Sequence, residues 1–73
     1  MLKKERFIIS CRKSFAKAHG ISEWEAAKLF WKYDTRRFIN EYYPIMGHYS
    51  GSAIKAIRGD MLRQGGVLPD MIL

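Results

Sequence analysis

The sequence predicts an all-α fold, a compact bundle of four short helices with an extended C-terminal tail. Two observations lead there. Apolar residues recur three and four positions apart in successive segments, the period of one helix face. Between those segments stand helix starts and stops: a Ser-x-x-Glu box at 22–25, Gly20, Pro44 and a Gly-Gly pair at 65–66. The chain has 73 residues, 48% hydrophobic and 14% aromatic, enough apolar density to fold as one domain over residues 1–66, with 67–73 as an apolar tail.

The first helix is predicted over about residues 3–19. Phe7, Ile8, Cys11, Phe15 and Ala18 fall on one side of it, while Lys3, Arg6, Ser10, Lys13 and Lys17 form a ridge on another face, with Arg12 beside them. Gly20 stops it, because glycine takes the left-handed conformation that follows many helices.

The second helix opens at Ser22, whose hydroxyl can accept from the Glu25 amide while Glu25 reaches back. Its body, WEAAKLFWKY, has only a narrow polar stripe of Glu25, Lys28 and Lys32, which predicts a central helix packed on more than one side. Trp31 lies on its flank and suits either a core position or a binding anchor.

Asp34 or Thr35 should cap a third helix over about 36–43, its apolar side made of Phe38, Ile39, Tyr42 and Tyr43. Pro44 should end it, because the residue before proline is pushed out of the helical region. A loop over 44–51 and a fourth helix over about 52–64 follow, capped by Ser50 or Ser52 and apolar at Ile54, Ile57 and Met61. Gly59 is a weak point inside it, at a cost of up to about 1 kcal/mol relative to Ala. The predicted core is Ile8, Phe15, Trp24, Phe30, Phe38, Ile39, Tyr42, Ile54 and Ile57. With Pro69 in it, the tail VLPDMIL should be an extended strap or docking segment.

Chemistry is harder to place on this chain. The single cysteine excludes a disulfide framework and suits a reduced, intracellular setting. One Cys and the distant His19 and His48 supply no zinc-ligand spacing. Cys11 falls on an apolar helix face, His19 suits the dipole at a helix C-terminus, and the close pair His48 and Ser50 has no third group to orient the imidazole. No catalytic residue and no cofactor are therefore expected. The basic start, MLKKERFIISCRK, lacks the apolar run of a signal peptide, and no segment is long enough to span a bilayer. A cytoplasmic protein with no membrane partner is expected.

The net charge of +6 is concentrated: residues 1–20 hold six basic residues and one acidic one. The ridge on the first helix could dock an acidic protein, track phosphates, or simply solvate a surface helix. A helix-turn-helix over 21–43 fits poorly, since bulky Phe30, Trp31 and Lys32 stand where the turn needs a small residue.

Four stretches together also resemble a known family: Phe7-Ile8, GIS at 20–22, LFWKY at 29–33 and FINEYY at 38–43. The run from Phe7 to Tyr43 resembles a family of short, uncharacterised bacterial proteins encoded beside toxin-like proteins of the ADP-ribosyltransferase type. That resemblance implies an antitoxin-like or accessory binding role, toward a toxin or a phage-defence component, and no catalytic residues. The second half departs from the family pattern, because the fourth helix carries Lys55, Arg58 and Arg63 around a single Asp60. The leading expectation is a non-enzymatic protein-binding module, or a homo-oligomer, using Lys3, Arg6, Arg12, Lys13, Lys17, His48 and Tyr49. The alternative is a nucleic-acid-binding protein using Lys3, Arg6, Arg12, Lys13, Lys17, Arg36 and Arg37.

Overall fold

In a computed structural model, the chain forms α1 (Lys3–His19), α2 (Glu23–Lys32), α3 (Thr35–Met46) and α4 (Ser50–Arg63). The structure describes residues 3–46 and 50–70, without the side chains of Lys4, 42–46 and 50–52. No strand occurs among the described residues, and none of their helices is long and apolar enough to cross a membrane.

Each described helix end is closed by local chemistry. At the end of α1 the Ile21 amide donates to the Ala16 carbonyl (3.0 Å) and the Gly20 amide to Lys17 (3.3 Å), with Gly20 at φ +64°. The pattern recurs after α4: Gly66 donates to Met61 and Gly65 to Leu62, both at 3.0 Å, with Gly65 at φ +83°. Both are paired closures around a left-handed glycine. Ser22 caps α2 as its sequence requires, its Oγ accepting from the Glu25 amide at 3.1 Å. Between α2 and α3 the chain turns at Tyr33 and Asp34, and Asp34 adopts φ +51°, so it is Asp34 that precedes α3.

Helices α1 and α3 each touch all three others, whereas α2 packs only on α1 and α3. This reverses the expectation of a central α2. The core draws Cys11, Phe15 and Ala18 from α1, Ala26 and Phe30 from α2, Ile39 from α3, and Ala53, Ile54, Ile57 and Met61 from α4. Phe15 sits at its middle, edge-on to Phe30 with ring centroids 5.5 Å apart. Ile8 and Phe38 are half-buried against this cluster. Trp24, expected in the core, is 71% exposed, because the buried side of α2 is the one bearing Ala26, Phe30 and Tyr33. The side chain of Tyr42 lies outside the described residues.

Two boundaries differ from expectation. Helix α3 runs through Pro44 to Met46. The ring removes one hydrogen bond, the one to the Asn40 carbonyl. That loss falls in the last turns, at an exposed residue, where packing of Phe38 and Ile39 outweighs the local preference. Helix α4 begins at Ser50, so Ser52 is helical and not a cap. Of the expected 44–51 loop, residues 44–46 and 50–51 are helical, and residues 47–49 lie outside the described residues.

The end of α4 is pinned to the end of α2. Gln64 Nε2 donates to the Tyr33 carbonyl at 3.0 Å and to Asp60 Oδ2 at 2.9 Å. Gly66 approaches the Tyr33 ring so closely that a Cβ there would lie 2.8 Å from Cζ and from the hydroxyl. Residues 67–70 continue as an extended strap, with Leu68 half-buried on the core and Val67 exposed.

Candidate binding surface on the second helix

Trp24 and Trp31 stand seven residues apart, two helical turns, so they project from one side of α2 with their Cα atoms about 10 Å apart. They are 71% and 87% exposed. Burying a large indole is among the strongest apolar gains available to a side chain, so two left in water on one face are unexplained by packing within this chain.

Trp31 rims a groove of about 250 Å³ whose floor is Ile8, Ala27 and Phe30 and whose walls carry Arg12, Asp34 and Arg36. Arg12 leaves the α1 ridge to reach this groove. Its side chain is about one third exposed, Nη2 is 4.0 Å from Glu23 Oε1, and its buried Nε has no partner among the described residues. Arg36 donates to Glu5 at 3.0 Å, tying the start of α3 to the start of α1. Arg37 donates to Glu41 at 3.2 Å along α3. The groove is thus near charge balance, apolar at its base, with an indole at its edge.

The other cations of the α1 ridge stand apart from this groove. Lys3, Arg6, Lys13 and Lys17 are all exposed on the side of α1 opposite Cys11 and Phe15, and no ion pair holds any of them among the described residues. Arg36 and Arg37, expected to join that ridge in contacting nucleic acid, are engaged instead by Glu5 and Glu41. Such exposed pairs contribute only about 0–1 kcal/mol each, so they orient the arginines without locking them. His48 and Tyr49, expected at a partner site, lie outside the described residues.

No family model, curated protein or solved structure matches this chain. Its surface chemistry is therefore read from its own geometry.

Two groups with catalytic potential are placed inside the fold. Cys11 is fully buried, and burial pushes its thiol up to about 11. A thiol so placed stays protonated at neutral pH and is a poor nucleophile. His19 stands at the C-terminus of α1 as expected, and it is buried there, 3% exposed. It stacks on Phe15, with centroids 4.0 Å apart and planes 22° from parallel. Its Nδ1 lies 3.0 Å from the Phe15 carbonyl and its Nε2 lies 2.6 Å from Arg58 Nη1. Burial lowers its pKa, and the positive field of Arg58 adds to that, against the raising effect of the Phe15 carbonyl. No group of three or more His, Cys, Asp or Glu suited to a metal occurs among the described residues.

Sequence reasoning placed the apolar face of α1 and its cationic ridge but missed the paired indoles. Their spacing was the available signal: Trp24 and Trp31 share a side, and Ala26, Phe30 and Tyr33 share the opposite one. A count of apolar residues around the helix hides that division.

Proposed function

We propose that this chain is a cytoplasmic, non-catalytic module that binds another protein through the tryptophan face of α2. The observation that carries the reading is the pair Trp24 and Trp31, exposed on one side of the helix. Tryptophan and arginine dominate the energetics of protein interfaces, and Arg12 and Arg36 flank the groove beside Trp31. The net charge of +6 opposes association of identical copies and favours a partner of opposite charge. The resemblance over residues 7–43 gives such a partner a class: a toxin or defence component for which this chain serves as an antitoxin-like or accessory subunit.

The test compares the tagged full chain with a Trp24→Ala/Trp31→Ala variant in native lysate. The wild type should retain one stoichiometric protein, and the identified partner, once purified, should bind the double variant at least 30-fold more weakly, the loss expected when about 2 kcal/mol of contact is removed. Circular dichroism should show the variant folded, since exposed positions tolerate substitution within about 0.5 kcal/mol. Undiminished binding by a folded variant rejects this surface.

A second reading, nucleic-acid binding, is favoured by a different observation: the unpaired row Lys3, Arg6, Lys13 and Lys17. A gel shift at low salt distinguishes the two. Absence of any shift removes the nucleic-acid reading.

A further inference from the structure

One guanidinium nitrogen joins three parts of the chain. Arg58 Nη1, on α4, donates to His19 Nε2 at the end of α1 (2.6 Å) and to the Pro69 carbonyl in the strap (3.0 Å). Its approach to Nε2 requires a lone pair there, so the proton of the neutral ring sits on Nδ1 and is donated to the Phe15 carbonyl. The imidazolium has no lone pair. Protonation would set two donors and two positive charges face to face at the same contact. The ring has nowhere to turn, being buried and stacked on Phe15. Arg58 is only part-buried and is the partner able to withdraw.

We infer that protonation of His19 expels Arg58 and thereby releases the strap of residues 67–70, making it a latch closed at neutral pH and opened by mild acid. The charged groups around the ring support this direction. From α4 the ring meets Arg58, and no carboxylate pairs with Arg58 among the described residues. From the strap comes a carbonyl, with exposed Asp70 next in sequence. On the α2 side, Glu25, Lys28 and Lys32 line a groove with Pro69, and on α1 the nearby Lys17 points to solvent. Arg58 is the charged group whose field acts on the ring. What opens is apolar: half-buried Leu68, and a groove of about 330 Å³ between Pro69 and α2 floored by Ile21 and Leu29.

The sign follows from linkage. The latched state holds the His19 pKa below its ordinary 6.5, so the released state binds the extra proton more readily. As the pH falls below the His19 pKa of the released state, the ratio of released to latched molecules should rise by up to about tenfold per pH unit, until the pKa of the latched state is passed.

Nuclear magnetic resonance on the full-length ¹⁵N-labelled chain between pH 7.5 and 5 tests this. The Val67 and Leu68 amides should shift with the midpoint of the His19 ring protons, and their heteronuclear NOE should fall. In His19→Gln, whose side-chain carbonyl still accepts from Arg58, the strap should stay ordered throughout. A strap that stays ordered while His19 titrates overturns the inference, as does an unchanged transition in His19→Gln. Should that variant fail to fold, Arg58→Gln decides: its strap should be loose already at pH 7.5, and an ordered strap there refutes the latch.

Discussion

The hydroxyl of Thr35 shows how local a defect in this fold can be. Thr35 is 1% exposed, and its Oγ1 has no partner among the described residues. It stands at the first position of α3, immediately after the left-handed Asp34, so the turn carries it inward. A buried hydroxyl without a partner costs on the order of 1–3 kcal/mol. Thr35→Val keeps the shape and removes the polar atom, and should stabilise the chain by about 1 kcal/mol, read as a higher urea midpoint with an unchanged slope. At this scale the sequence is a poor guide. Thr35 read as a cap, yet the structure makes it a buried residue. Trp24 read as core, and His19 read only as a helix-end group suited to the dipole, with nothing to show that it would be buried. Each is decided by which neighbour arrives from elsewhere in the chain, and local spacing does not contain that information.

At the scale of helices the sequence was more informative, because caps and stops act within a few residues. Ser22, Gly20 and the 65–66 glycines do what their residue types require, through hydrogen bonds no more than five residues long in sequence. Pro44 misled because its cost, a lost backbone bond and a clash with the preceding turn, does not by itself end a helix that tertiary packing holds. The glycines of and after α4 separate two effects. At Gly59 a Cβ would meet only the tip of Arg63, at 3.8 Å. Gly59→Ala should therefore gain about 0.5–1 kcal/mol from reduced backbone entropy and better helix propensity. At Gly66 a Cβ would lie 2.8 Å from the Met61 carbonyl oxygen and from the Tyr33 ring. Gly66→Ala should lower the melting temperature, because a backbone atom cannot step aside as a flexible side chain can. Thermal denaturation of the two variants beside the wild type checks the opposite signs.

Over the whole molecule, charge and apolar exposure are divided between helices. The indoles belong to α2, and the longest row of exposed cations without an ion pair among the described residues belongs to the outer side of α1, with Lys28 and Lys32 on α2 and Lys55 on α4 standing singly. The two functional readings therefore predict separable variants. If the α1 ridge engages nucleic acid through four phosphates, the logarithm of affinity should fall against that of salt with a slope of about −3.6 on duplex DNA and about −2.8 on a single strand. Lys13→Glu/Lys17→Glu should then abolish the gel shift, while the tryptophan double variant leaves it intact. A shift that survives the charge reversal moves the nucleic-acid site away from α1. The overall charge and its bias toward the first twenty residues were plain in the sequence. The separation of the two faces was not, since it depends on which side of each helix the bundle covers.

The position of α1 among the other helices also bears on how the chain comes into being. Its apolar face is covered chiefly by α2 and α4, and Ile57 and Met61 lie roughly forty residues downstream of the end of α1. At typical translation rates, α1 waits on the order of a few seconds for them to be synthesised. During that interval Phe7, Ile8 and Phe15 remain only partly sheltered on the nascent chain. Packing of α1 therefore waits on the synthesis of α4, and until then the emerging first helix is apolar on one side and cationic on the other.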